Sequence, residues 1–252
     1  MKILVFGATS AIAKSAARIY AERNAQLFLI GRDEERLKKM KIDLELRGAD
    51  SVEILTLDIL TYNEHENAIT LAVEFLGNVD LTLICHGSLP DQTACETDFK
   101  KIEKEIKINA LSTISICTEV SKQLKKQKTG TLAVITSVAG ERGRQPNFIY
   151  GAAKSMVSTY LQGLRGKLLP FGIHVVDIKP GLVDSPMTAG LKKGALWSTP
   201  KSIATKIVKG IDRKEHTIYA PSYWRLIMFT ICLLYTSPSP RDRTRSRMPS
   251  SA

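Results

Sequence analysis

Short, unbroken apolar runs alternate along the chain with stretches in which apolar residues recur every three or four positions. The runs fall at residues 2–6, 26–30, 52–57, 79–84, 131–136 and 173–178 and are rich in Val, Ile and Leu. Continuous apolarity over so few residues is the pattern of a strand buried on both faces. Helical periodicity occupies residues 10–24, 33–47, 63–76, 98–126 and 147–168. Strand and helix in alternation predict right-handed βαβ units, and so an α/β fold in which a single doubly wound parallel sheet carries helices on both faces. No internal repeat is visible. In such a sheet a ligand lies beyond the carboxyl ends of the strands. That directs attention to Gly7, Arg32, Asp58, His86, Ser137 and Pro180, the residues at or just past the ends of the runs.

Composition supports this picture and narrows the function classes. The chain has 252 residues, 44% apolar and 24% charged, a balance that suits one globular α/β domain and excludes collagen-like or disulfide-stapled architectures. Cys85, Cys95, Cys117 and Cys232 form no C-x-x-C pair; a reducing compartment is expected, with no metal site. The N-terminal apolar run is too short and too broken by Gly and Ser for a signal peptide or membrane span, so a cytoplasmic location is expected. The formal charge is +11, which raises the question of a nucleic-acid partner. Part of the excess comes from four arginines set against one aspartate beyond Ser237. Most of the remaining lysines are interleaved with Glu103, Glu105 and Glu119 on helical faces, and no nucleic-acid-binding motif accompanies them. No nucleic-acid partner is therefore expected.

Residues 222–231 are apolar apart from Arg225 and predict a terminal helix that packs on a second copy or makes, at most, peripheral membrane contact. From residue 232 the chain passes into a segment containing Pro238, Pro240 and Pro249 among clustered Ser and Arg. It resembles translated sequencing-adapter read-through. Such a composition buries too little surface to offset ordering entropy. The expectation is a domain over 1–231 and a disordered tail, foreign to the fold, over 232–252; the alternative is a genuine basic tail that binds anionic lipid.

Gly7-Ala8-Thr9-Ser10-Ala11-Ile12-Ala13 leaves the first strand and opens a helix, a turn that offers free backbone N–H groups to a pyrophosphate. The segment resembles the T-G-x-x-x-G-x-G turn of the short-chain dehydrogenase/reductase family, with Phe6 in place of the threonine and Ala11 and Ala13 in place of the later glycines. The resemblance implies a Rossmann-type domain and a dinucleotide held by Gly7, Thr9, Ser10, Ala11 and Ile12. Arg32 ends the second strand, where an arginine neutralises a 2′-phosphate and an acid accepts from a ribose 2′-hydroxyl. NADP is therefore the expected cofactor. NAD stays possible if Arg32 merely pairs with Asp33 or Glu35, or if Asp33 reaches the ribose. Asp58 matches the family's aspartate near the adenine ring. Ile84-Cys85-His86-Gly87 stands where the family has N-N-A-G: Gly87 is kept, and His86 either lines the cofactor pocket or is a packed, hydrogen-bonded histidine.

Tyr150 and Lys154 form Y-x-x-x-K at the start of a helix, thirteen and seventeen residues after Ser137. Four-residue spacing puts phenol and ammonium on one face, and a cation there is expected to lower the tyrosine pKa toward the operating range of a general acid. Ser137, Tyr150, Lys154 and Asn109 match the family's four catalytic positions. The stretch from Pro180, Gly181 and Val183 to Thr188 resembles the family's P-G-x-V-x-T-x-M over the nicotinamide, with Ser185 for threonine. The resemblance, covering residues 1 to about 220, implies reversible hydride transfer between NAD(P) and a carbonyl or secondary alcohol. Ser137 would polarise the carbonyl, Tyr150 would act as general acid and base, Lys154 would bind the nicotinamide ribose, and Asn109 would hold a water. Residues 86–92 further resemble bacterial reductases related to decaprenylphosphoryl-2-keto-ribose reductase, implying a keto-sugar, free or lipid-linked. Helix positions Ala152, Ala153, Gly163 and Gly166 permit close helix approach and, with the family's habit, imply a homodimer or homotetramer. The competing function class is a non-catalytic nucleotide-binding or redox-sensing protein on the same fold.

Overall fold

The computed structural model describes residues 1–236. In chain order its elements are β1 (Lys2–Phe6), α1 (Ala11–Ala21), β2 (Gln26–Gly31), α2 (Glu34–Leu46), β3 (Ser51–Thr56), α3 (His65–Leu76), β4 (Leu81–Ile84), α4 (Gln92–Glu96), α5 (Phe99–Ile106), α6 (Ser112–Gln127), β5 (Thr131–Ile135), α7 (Phe148–Leu168), β6 (His174–Pro180), α8 (Pro200–Asp212), β7 (Thr217–Ala220) and α9 (Trp224–Thr236). The strands form one parallel sheet in the order β3-β2-β1-β4-β5-β6-β7. Chain direction across the sheet reverses between β1 and β4, and the crevice at that reversal is where a doubly wound sheet takes its ligand.

The unbroken apolarity of the strands has a direct cause. On β1, Ile3 and Val5 face a layer built from α1, α2 and α8, while Leu4 and Phe6 face a second layer built from α3, α6 and α7. β1 is thus a divider between two cores, and neither of its faces is open to solvent.

Three expectations from the sequence are corrected. Residues 98–126 are not one regular helix: α5 and α6 are joined by a π turn, Lys107–Leu111, in which the Ser112 N–H reaches back to the Lys107 carbonyl. Residues 232–236 are not disordered but complete α9, so the last helix runs past 231; residues 237–252, including the proposed foreign tail, lie outside the described residues. Ala153 is wholly buried in the core and does not belong to the exposed small-residue face of α7. The sequence reading also lacked α8 and β7. β7 is four residues long, and only Ile218 and Ala220 turn inward, too few for a periodic signal. Among the described residues, no helix is long and apolar enough to cross a membrane.

Candidate active site

Two cavities meet at the reversal between β1 and β4. His86 and Gly87 line both, and Gly7 lines the outer one where it abuts His86. The Gly7 φ is +70°, and a Cβ there would stand 2.5 Å from the backbone nitrogen of His86, so both conformation and space require glycine. The other family glycines are absent without harm to the turn. Ser10 caps α1, its hydroxyl accepting from the Ala13 N–H at 3.2 Å. Ala11 is the first helical residue, and the Ala13 methyl is fully buried in the core.

The outer cavity, about 480 Å³, is lined by Gly7, Thr9, Arg32, Asp33, Arg36, Asp58 and Gly87 among others. Asp33 caps α2, accepting from the Arg36 N–H at 3.0 Å, and its carboxylate lies 3.9 Å from the Arg36 guanidinium. Glu35 faces Lys38. Arg32 is exposed and, among the described residues, has no acidic partner. Asp58 closes its own turn, accepting from the Leu60 N–H at 3.0 Å.

The inner cavity, about 250 Å³, gathers Ala11, Ile12, Ser137, Tyr150, Lys154, Pro180, Gly181 and Val183. Ser137 follows β5 and accepts from the Ala139 N–H at 3.1 Å. Lys154, only 3% exposed, donates to the Ile135 carbonyl at 3.2 Å, with its Nζ 5.8 Å from the Tyr150 ring centroid. Burial lowers the Lys154 pKa to about 8, with Cys85 and Asp177 acting in the opposite direction. Burial also pushes Tyr150 up to about 12, against a downward pull from its hydrogen bond with Ser137. The expectation that the lysine brings the tyrosine down is thereby corrected: desolvation of the phenolate outweighs a cation that is itself desolvated.

Asn109 sits in the π turn, fully buried behind the cavity wall. Its Oδ1 accepts from the Ser88 N–H, and its Nδ2 donates to Ser88 Oγ and to Glu105 Oε2, each at 3.1 Å. Ser88 also donates to Glu105. A Cβ on Gly87 would stand 2.9 Å from Asn109 Oδ1 and 3.4 Å from Lys154 Nζ; the bare glycine lets both side chains close over the same spot. His86 answers to both of its expected descriptions. It lines both cavities, and its Nε2 lies 2.9 Å from Ser112 Oγ and 3.1 Å from Thr113 Oγ1. Because the Ser112 hydroxyl donates to the Ile108 carbonyl, it accepts from an Nε2–H, leaving the buried Nδ1 as an acceptor without a partner. Burial, reinforced by Lys154, holds His86 down to about 3, hence neutral.

Sequence reasoning missed Glu105, Arg144, Asn147 and Trp224. Glu105 had a signal: it lies four residues before Asn109, on the same helical face. Trp224 had none. It comes from α9 and lies flat on Gly181, where a Cβ would meet its Nε1 at 1.8 Å. Burial raises the thiols of Cys85 and Cys117, a setting of low reactivity. Among the described residues, no cluster of His, Cys, Asp or Glu is arranged to hold a metal.

Comparison with known proteins gives this architecture a family. The short chain dehydrogenase profile matches residues 1–195. An uncharacterized oxidoreductase of Streptomyces coelicolor is 32% identical over 232 residues, 91% of this chain and 90% of its own. Another, from Mycobacterium tuberculosis, is 26% identical over 232 residues, 92% of this chain and 93% of its own. Among solved structures, a short-chain type dehydrogenase/reductase from Mycobacterium ulcerans superposes with a TM-score of 0.79 at 19% identity, covering 86% of each chain. An actinorhodin polyketide ketoreductase with NADPH gives 0.77 at 21%, covering 86% of this chain and 94% of its own. The chain belongs to the short chain dehydrogenase family, and it is an oxidoreductase of that family with the family's Rossmann-type fold.

Proposed function

We propose that the protein is an NADP-dependent reductase that interconverts a ketone and a secondary alcohol, with Tyr150 as general acid and base. The observation that carries the reading is the convergence of Ser137, Tyr150 and Lys154 on one cavity beside Gly181, with Gly7 and Gly87 leaving room that any Cβ would fill. Those residues fit a dinucleotide: Gly7, Thr9, Ser10, Ala11 and Ile12 at the pyrophosphate, Asp58 at the adenine, and Pro180, Gly181 and Val183 along the nicotinamide. Bound NADPH supplies the hydride. Ser137 donates a hydrogen bond to the carbonyl oxygen, Tyr150 passes its proton to that oxygen as the alcohol forms, and the Lys154 ammonium offsets the phenolate left behind. Asn109 holds the Gly87–Ser88 segment beside Lys154.

NADP preference is supported by Arg32, which meets no acid among the described residues, while Asp33 is engaged as a helix cap. A keto-sugar substrate, free or lipid-linked, is supported only by the resemblance of residues 86–92. Self-association as a homodimer or homotetramer is supported by an exposed stripe along α7 formed by Phe148, Ala152, Met156, Gly163 and Gly166; a monomeric mass by light scattering at micromolar concentration would refute it. The catalytic reading is tested by ketone-dependent NADPH oxidation. Tyr150→Phe is expected to lower kcat by about 10²–10⁴-fold with NADPH affinity preserved. Turnover undiminished in that variant would overturn it.

A further inference from the structure

The inner cavity has a charge imbalance that the reaction above does not use. Besides Lys154, it is lined by Arg144, and no aspartate or glutamate lines it. Arg144 stands in the loop between Ser137 and Tyr150. Its guanidinium donates to the thioether of Met228 at 3.2 Å and, among the described residues, meets no carboxylate. A thioether is a weak acceptor, so the five donors of this side chain are largely unspent inside a partly enclosed site. Met228 lies one helical turn beyond Trp224 on α9, and both are buried. Trp224 lines the same cavity, and its Nε1–H has no partner. The Asn147 amide, also on the cavity wall, makes no capping hydrogen bond to α7. Arg144 and Asn147 therefore bring to the cavity a guanidinium and an amide whose donors are largely unspent, among apolar lining residues such as Leu182, Met187 and Leu191.

Resting on the ketone-reductase reading, we infer that Arg144 is the anchor for an anionic group on the substrate: the protein takes a ketone that also bears a carboxylate or a phosphate. A planar guanidinium matches both oxyanions in bidentate fashion, and a charge-assisted pair in a partly enclosed site is stronger than one in open solvent. The apolar residues opposite would then hold the uncharged part of the molecule. Lys154 does not compete for this anion, since its ammonium is turned to the Ile135 carbonyl behind Tyr150.

Matched probes test the inference. Phenylpyruvate is compared with phenylacetone, and dihydroxyacetone phosphate with dihydroxyacetone, by NADPH oxidation and by titration calorimetry with and without NADP⁺. The wild-type protein is expected to favour at least one anion over its neutral partner by about tenfold or more in kcat/KM and in affinity. Arg144→Gln should abolish that preference while leaving the neutral ketone within about twofold, and Arg144→Lys should restore part of it. Preference within the first pair alone identifies a carboxylate, and within the second alone a phosphate. No preference in either pair, or equal weakening of anionic and neutral probes by Arg144→Gln, overturns the inference. Arg144-dependent binding of the anions with no turnover of any ketone would uphold the anion site and refute the reductase reading instead. Turnover of ketones without anion preference would do the reverse.

Discussion

On the function proposed above, the outer and inner halves of the cleft would solve different problems with different parts of the chain. In the outer half the backbone carries the recognition. Gly7 must be glycine because its φ is +70° and His86 lies against it, yet the neighbouring family glycines are replaced by Ala11 and Ala13, whose methyls sit on an ordinary helix start and in the core. In the inner half the side chains would carry the chemistry, and Ser137, Tyr150 and Lys154 match the family motif in type and spacing, under burial that shifts the tyrosine and the lysine. Backbone recognition tolerates any residue that leaves the path of the chain intact. A proton donor cannot be exchanged on those terms.

The comparison can be broken first at its boundary. Gly7→Ala is expected to cost about 2 kcal/mol or more of folding stability, from positive φ and the approach to His86, whereas Ala11→Gly should change it by less than about 1 kcal/mol. Denaturant midpoints decide; equal effects at the two positions would erase the distinction between required and dispensable glycines.

The pH dependence sharpens the inner half. With Lys154 lowered to about 8 and Tyr150 raised to about 12, the rate of reduction should fall as pH rises through about 8, where the ammonium is lost while the phenol still holds its proton. Stability follows its own sign. Between about 8 and 10.5 the unfolded chain keeps the Lys154 proton that the folded protein has released, so this group makes folding more favourable as pH rises. Between 10 and about 12 the folded protein keeps the Tyr150 proton that the unfolded chain has lost, so stability from that group declines. A kcat profile flat from pH 7 to 10 would contradict the lysine assignment.

The smallest expected effect lies at the solvent edge. Arg32→Ala should weaken NADPH by about tenfold and NADH hardly at all, the loss of one exposed charge-assisted contact. Equal weakening of both nucleotides would make Arg32 a structural residue only.

How far the sequence could be read follows the same division. The first six strands were legible because each holds a run of mainly apolar residues that feeds one or both cores; β7, with two inward residues, was not. Ser137, Tyr150 and Lys154 were legible because one strand end and one helix turn fix their spacing. Arg144 and Trp224 were not, because what brings them together is the seating of α9 on Gly181 and Val138, a contact between distant stretches of chain that no local period records. The direction of the Tyr150 pKa shift was misjudged for a related reason. Spacing reports proximity, but desolvation depends on everything packed around the pair.

The π turn at Lys107–Leu111 gives the site a dependence on gene length as well as on residue identity. Such a turn accommodates one residue more than the α-helical bonding pattern would, and each residue of a helix turns the chain by about 100°. Loss of a single codon within that stretch would let α5 and α6 fuse into a regular helix and swing Glu105 about a quarter turn away from Ser112 and Thr113, the partners of His86. With any codon but that of Asn109 lost, every site side chain would still be encoded, and the cleft would no longer be assembled. For this helix an in-frame deletion is a graver lesion than most substitutions, and a relative of the same composition but one residue shorter here would have to build its wall in another way.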